Sequence, residues 1–239
     1  MNHRVLVLVG RGRYADPWHD HAATSYEVAR LIDDLGPGAG EVDVMVRSSF
    51  PEALDDLADV DLLVVDTGSG RRDPEFDGDD ARWLPVHQRL EDYARAGGGV
   101  LGLHQAAMTF EDSPFWERIL GGRWVHGVSG HPPLGDAVVQ VRTDAHAITQ
   151  GLHGVTAVDE RYSNLRVSPD VTVLATHVED GGQHPVAWVN TADGYRAVYD
   201  ALGHDVTALA SPSRRALLRQ EVRWLLGLPP RVTDAQRFW

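Results

Sequence analysis

The sequence predicts an α/β fold built on a doubly wound, mostly parallel sheet, with antiparallel strands added in its second half. Residues 5–9 (Val-Leu-Val-Leu-Val), 62–65 and 100–103 are short, unbroken apolar runs, as central strands covered on both faces require, and helical periodicity separates them. In the second half, residues 137–141, 171–175, 185–189 and 197–202 are alternating or β-branched runs divided by turn residues, which favours antiparallel pairing. Strand–helix alternation over the first half implies right-handed crossovers, and such sheets bind ligands beyond the carboxyl ends of their strands.

The elements follow in order. The first strand ends in Gly10, and a loop over 11–22 holds Tyr14, Trp18, His19 and His21. Tyr26, Ala29, Leu31, Ile32 and Leu35 recur at helical spacing until Gly36-Pro37-Gly38 stops the helix. Residues 42–46 read as a second strand, and a short acidic helix over 51–57 precedes the third. The segment 71–80 is charged, contains Pro74 and Gly78, and reads as an exposed loop. A helix over 83–96 ends in Gly97-Gly98-Gly99, and the fourth strand runs straight into His104. Ser113-Pro114 marks a helix start with serine as cap, and Gly121-Gly122 closes that helix. A terminal helix spans 213–226, and an irregular tail over 229–239 leaves Phe238 and Trp239 to dock on the body or on a second subunit of a homodimer. One domain over 1–239 is expected.

Composition removes several functions. Asp and Glu number 35 against 22 Lys and Arg, a net charge of −13 that repels phosphate backbones and anionic lipid heads, with no compensating basic patch. No nucleic-acid or membrane partner is expected. The absence of cysteine excludes disulfides, thiolate metal sites and a cysteine nucleophile. The apolar run after Met1 is only a strand's length and lacks a small-residue cleavage site, so the cytoplasm is the expected location. Gly10-Arg11-Gly12-Arg13 opens like a dinucleotide fingerprint, but Ala15 follows and no helix-opening glycine completes it. No serine stands in a G-x-S-x-G context.

The 12 histidines are the informative residues. His19 and His21 follow the first strand, His104 the fourth, and His204 the run 197–202, while His126 and His131 follow the Gly121-Gly122 turn. Strand ends gather at one edge of a doubly wound sheet, so these loops deliver several imidazoles to one place. His3, His87, His146, His153 and His177 read as structural. Gly99-Val100-Leu101-Gly102-Leu103-His104-Gln105-Ala106-Ala107 has the form of a nucleophile elbow with histidine at its tip, suited to acid/base work or metal ligation. The competing reading is that the glycines only permit close packing. In Asp159-Glu160-Arg161-Tyr162 only one carboxylate can face the pocket. Glu160 could be a base, an acceptor for sugar hydroxyls, a hard oxygen ligand, or half of a surface ion pair with Arg161 or Arg166.

At these residues the sequence resembles the ThuA-like (trehalose utilisation) family, within the class I glutamine amidotransferase-like superfamily. The matching stretches run from Gly97-Gly98-Gly99 through His104, Gly121-Gly122-Arg123-Trp124 with His126, and 144–152. They continue with Asp159-Glu160-Arg161-Tyr162, His184-Pro185-Val186-Ala187-Trp188 and Tyr195-Arg196-Ala197-Val198-Tyr199, and end at Leu202-Gly203-His204-Asp205. The resemblance implies a flavodoxin-like three-layer αβα sandwich and a pocket holding His104, Glu160 and His204, with His21 and His131 nearby. His104 stands where amidotransferase members place cysteine, so glutamine hydrolysis by that route is excluded. The family usually begins the strand before the last histidine with Gly-x-Gly-Arg, whereas this chain reads Asp193-Gly194-Tyr195-Arg196.

The implied role is in carbohydrate metabolism, as cleavage of keto-sugars or glycosides with a small carbohydrate as ligand. His104, Glu160 and His204 are the expected catalytic groups. Trp18, His21, Gln105, His131 and Tyr162 are the expected substrate contacts. A divalent Zn²⁺, Mn²⁺ or Ni²⁺ would be held from among His21, His104, His126, His131, Glu160 and His204. The alternative is a non-catalytic sugar-binding or regulatory protein, in which Tyr14, Trp18, Trp124 and Tyr162 stack on sugar faces.

Overall fold

The structure is a computed structural model and describes residues 2–230; the tail residues Phe238 and Trp239 lie outside the described residues. Strand β1 (Asn2–Val9) leads through α1 (His21–Asp33) to β2 (Glu41–Ser48) and, after two 3₁₀ turns, to β3 (Leu62–Asp66). A one-turn helix α2 (Pro74–Asp77) and the long α3 (Asp80–Arg95) precede β4 (Gly99–Leu103), which passes into a 3₁₀ turn, His104–Ala107. Next come α4 (Trp116–Leu120), the two-residue β5 (Gly122–Arg123), β6 (Gly135–Val141), β7 (Val155–Asp159) and the two-residue β8 (Arg166–Val167). The chain continues through β9 (Thr172–Glu179), β10 (Gly182–Asn190), β11 (Arg196–Asp200), α5 (Val206–Ala210) and α6 (Pro212–Leu225).

Nine strands form one sheet in the order β2-β1-β3-β4-β11-β10-β9-β6-β7. The first five are mutually parallel and the remaining pairs antiparallel. The parallel block therefore has the flavodoxin-like order, with β11 supplying the fifth strand. Its central members β3 and β4 are buried at every residue, because right-handed crossovers send α1 and α3 to opposite faces. By contrast, β6 alternates buried and exposed residues, as a strand with one solvated face should.

Local chemistry explains where sequence and structure differ. The segment 71–80 is not an open loop: Asp77 is buried and accepts from the Arg13 amide at 2.7 Å. The expected acidic helix over 51–57 is two 3₁₀ turns, Pro51–Leu54 and Leu57–Asp59. Ser113 does not cap α4; its hydroxyl accepts from the Phe115 amide two residues on, and the helix begins at Trp116. The helix α5 follows Asp205, whose carboxylate caps it, a signal the sequence reading passed over.

Candidate active site and metal centre

The parallel strands β1, β4 and β11 end at the same edge of the sheet, and β7 brings a fourth loop there. At the tip of β4 the chain turns through His104, whose φ of +44° lies in the left-handed region. Two hydrogen bonds hold this turn. The Tyr199 hydroxyl donates to the His104 carbonyl at 2.8 Å, and His104 Nδ1 donates to the Ala201 carbonyl at 2.6 Å. Gly102 is required by packing: a Cβ there would lie 2.6 Å from Leu120 Cδ1 and 3.1 Å from Ala106 Cβ. The elbow therefore serves both close packing and side-chain presentation.

Because a carbonyl can only accept, His104 Nδ1 carries a proton, and Nε2 presents a lone pair only when the ring is neutral. His19 is set up in the same way, with Nδ1 2.8 Å from Asp16 Oδ1. His19 Nε2 then lies 3.1 Å from His104 Nε2 and 2.9 Å from His204 Nδ1. Glu160 completes the group, its Oε2 3.4 Å from His104 Nε2 and its Oε1 3.5 Å from His204 Nδ1. One ligand atom from each of His19, His104, Glu160 and His204 falls within 4.8 Å of the others. Asp159, fully buried, ties two of the loops together by accepting from the amides of Glu160 (2.9 Å), Gly203 (2.7 Å) and His204 (3.1 Å).

The donor set fits a metal ion. Ligands about 2.1 Å from a common ion are separated by about 3.0 Å at octahedral and about 3.4 Å at tetrahedral angles. Four of the edges, between 2.9 and 3.5 Å, lie near those spacings, while His19 Nε2 stands 3.9 Å from Glu160 Oε2. With both rings neutral, the lone pairs of His19 and His104 face one another, and a shared ion or a proton between them relieves the contact. Three imidazoles and one carboxylate suit a borderline ion better than Mg²⁺. Burial, reinforced by His104 and His204, lowers the His19 pKa against the pull of Asp16. Glu160 raises that of His204. Burial would push the Glu160 carboxyl up, but His104 and His204 hold it well below the usual carboxylate range.

Of the residues expected from sequence, His104, Glu160 and His204 come together. Tyr162 stands with them, its hydroxyl 3.1 Å from His104 Nε2, and burial pushes its pKa well above the ordinary value. His131 is at the rim, Nε2 3.6 Å from Glu160 Oε2, and Trp124 packs edge-on against Tyr162. His21 and His126 stand outside the group. His21 is the first residue of α1 and lies behind Asp16, with Nε2 3.5 Å from Asp16 Oδ2 and Nδ1 3.4 Å from Asp66 Oδ1. His126 is exposed and paired with Glu111 at 2.6 Å. Gln105 is buried beneath the elbow, and Trp18 projects from the loop with 76% exposure. His19, which the sequence reading passed over in favour of its neighbour, takes the place assigned to His21. The signal was there: Asp20 caps α1, which commits His21 to the helix and leaves His19 in the loop.

A parallel sheet in flavodoxin order, with a histidine elbow in place of a nucleophile and a His₃-carboxylate group at its strand tips, defines an α/β class distinct from the cysteine amidotransferases. The trehalose utilisation (ThuA) family matches residues 4–225, and the chain belongs to that family. Similar structures include a putative ThuA-like protein from Parabacteroides merdae, 19% identical, with a TM-score of 0.74 over 97% of this chain and 92% of that one. A second, from Bacteroides uniformis, is 20% identical with a TM-score of 0.71 over 95% of this chain and 94% of that one. A β-galactosidase from Rahnella contains the same fold in 32% of its length, with a TM-score of 0.61, 17% identity and 95% of this chain covered. No curated protein matches the sequence. Among the described residues no helix is long and apolar enough to cross a membrane. Membership of the family carries a carbohydrate-related role.

Proposed function

We propose that the protein is a carbohydrate-processing enzyme that cleaves glycosides of keto-sugars, with His19, His104, Glu160 and His204 holding a Zn²⁺, Mn²⁺ or Ni²⁺ ion. One observation carries this reading: ring nitrogens from three separate loops and one carboxylate converge within 4.8 Å, with His19 Nε2 and His104 Nε2 3.1 Å apart. The bound ion would supply positive charge for an enolate oxygen.

A ketone one carbon removed from the anomeric carbon acidifies the C–H between them. A base takes that proton, the C–H electrons form a carbon–carbon double bond, and the glycosidic oxygen leaves as an alcohol after gaining a proton. Water then adds across the double bond, so the net reaction is hydrolysis. We assign the proton transfer to His131, which lies beside Glu160 outside the ligand group and whose side chain is 33% exposed. Tyr162 is buried, keeps its proton at neutral pH and sets its hydroxyl 3.1 Å from His104 Nε2.

Metal analysis of the purified protein, paired with turnover of 3-keto-glucosides, tests the reading. His104→Ala and His204→Ala should each lose the ion and at least about 100-fold in rate, the scale of effect a lost ligand or acid/base group produces. Wild-type rates and metal content in both variants would end the idea. Tight sugar binding without turnover in the wild type would favour a sensor over an enzyme.

A further inference from the structure

The turn that follows β11 supports more of the site than the one histidine it delivers. Asp200 is the last residue of that strand, and His204 comes four residues later. Between them, every backbone polar group of Ala201 and Leu202 has a partner. The Ala201 amide donates to the Val186 carbonyl at 2.7 Å, and the Ala201 carbonyl accepts from His104 Nδ1 at 2.6 Å. The Leu202 amide donates to Asp200 Oδ1 at 2.9 Å, and the Leu202 carbonyl accepts from Arg214 Nη2 at 2.8 Å. The Gly203 and His204 amides go to Asp159. Two of the three imidazoles therefore depend on this turn, His204 through the chain and His104 through the Ala201 carbonyl.

Arg214 reaches this turn from a different element. It lies in the first turn of α6, its side chain is fully buried, and Nη1 stands 3.0 Å from Asp200 Oδ2. Its base is fixed as well. The Ser211 hydroxyl, which caps α6, donates to the Thr156 carbonyl of β7, and the Thr156 amide donates to the Ser213 hydroxyl at 3.0 Å. Since β7 ends in Asp159 and leads to Glu160, the loops carrying Glu160, His104 and His204 share one support.

Stability is a poor account of an arginine in this place. A cation in the first turn of a helix faces the positive end of the macrodipole, and a buried ion pair often contributes no more than well-packed apolar side chains would. A second carboxyl group, Glu221, lies 4.0 Å from Nη1 and is also fully buried. Burial, reinforced by the Asp200 carboxylate, pushes its pKa well above the ordinary value, so it keeps its proton and adds no charge. What arginine alone supplies is a planar fork that meets a carboxylate and a carbonyl at once.

We infer that Arg214 is a positioning residue for the histidine group: by joining the Leu202 carbonyl to the Asp200 carboxylate it fixes the turn 200–204, and through that turn it sets the ring of His104 and the approach of His204. The part played by an ion rests on the proposed function, but the first readout needs no metal. In chelator-treated protein, imidazole proton–nitrogen correlations report the Nδ1 proton of His104. Its exchange with solvent should be at least about tenfold faster in Arg214→Met than in wild type. Arg214→Lys keeps the charge but cannot reach both acceptors, and should lie between the two. Zn²⁺ affinity, measured by competition with a chelator, should fall about 10–100-fold in Arg214→Met. Leu225→Ala separates positioning from stability. Leu225 is fully buried at the far end of α6, where its carbonyl lies 3.2 Å from the site a Cβ on Gly99 would take, at the opposite end of β4 from His104. That variant should lower Tm and leave both readouts at wild-type values, and Glu221→Gln should leave both unchanged. Wild-type exchange and affinity in Arg214→Met or, should that variant not fold, in Arg214→Lys would overturn the assignment. Losses of the same size in Leu225→Ala or Glu221→Gln would do so too. A wild-type protein that binds no Zn²⁺, with the His104 proton still responding to Arg214, would instead count against the proposed function and leave the positioning role standing.

Discussion

Two groups of charged and polar side chains flank the loop after β1, and they are built on opposite principles. On one side Arg13, with a side chain only 1% exposed, meets Asp77 at 3.0 Å, Asp80 at 2.7 Å, Asp112 at 3.0 Å and the Gly78 carbonyl. Tyr14 donates to Asp112 at 2.9 Å, so each donor of that group faces an acceptor. On the other side, His19 Nε2 and His104 Nε2 stand 3.1 Å apart. The first group is closed and ties the segment 71–80 to the loop. The second, on the proposed function, takes a cation. What separates the two is donor chemistry: carboxylates around a guanidinium in the first, imidazoles converging with one carboxylate in the second.

The largest test of that contrast is Arg13→Met. It leaves the carboxylates of Asp77 and Asp112 without their cation, and breaking a buried pair in this way costs about 3–5 kcal/mol. For a chain of this size that is a fall in Tm of roughly 6–20 °C. Metal content per folded molecule should not change. A Tm within a degree or two of wild type, or a parallel loss of metal, would show that the two groups are not separate.

The difference sharpens with pH at His21, which lies between them. Burial disfavours its imidazolium, but the carboxylates of Asp16 and Asp66 outweigh burial and lift its pKa to about 9, from 6.5. A group raised on folding stabilises the protein fully below its unfolded value, and that contribution disappears as pH rises through the folded value. In chelator-treated protein, His21 should therefore contribute up to about 3 kcal/mol below pH ~6.5, declining to nothing above pH ~9. Urea midpoints measured from pH 6 to 9.5 should fall more steeply for wild type than for His21→Gln. Parallel curves would remove the ion pair from the account.

How much of this was legible beforehand follows the same division. The strands 5–9, 62–65 and 100–103 could be read because a buried parallel strand must be uniformly apolar, and no other pattern fits so short a run. His104 was legible because it stands directly after such a strand, and His204 because it follows the run 197–202, which was expected to pair antiparallel and instead lies parallel to β4 as β11. Glu160 was only half legible, since its neighbour Asp159 carries the same charge; the structure divides the roles by turning Asp159 inward to three backbone amides. The choice between His19 and His21 depended on where α1 begins, and a cap position decides that by one residue. Asp77 was read as exposed because charge pattern records polarity, not partnership with an arginine 64 positions away.

Asp16 tests the open group at one remove. Its carboxylate accepts from His19 Nδ1 at 2.8 Å, and from the Trp18 amide at 2.8 Å, so it fixes both the tautomer and the direction of the ring. Asp16→Asn keeps the shape but lets an amide nitrogen face the imidazole. Metal affinity, measured by competition with a chromophoric chelator, should fall about 10–100-fold, as for other partners of metal-bound histidines. An unchanged affinity would mean that His19 is oriented by packing alone.

His126→Ala should have the smallest effect, and it separates sequence position from spatial placement. His126 lies two positions beyond Trp124, a stretch that sequence reasoning connects to the pocket, yet its side chain is 71% exposed and bonded only to Glu111. An exposed ion pair of this kind contributes about 0–1 kcal/mol, so Tm should move by no more than about 4 °C. Metal stoichiometry and affinity should equal those of wild type, because the four converging groups are untouched. His131→Ala, five residues on but beside Glu160, should by contrast retain the metal and lose turnover. If His126→Ala released the ion, the loop 125–131 would have to fold inward in solution, and the separation between a closed group and an open one would need to be redrawn around five ligands rather than four.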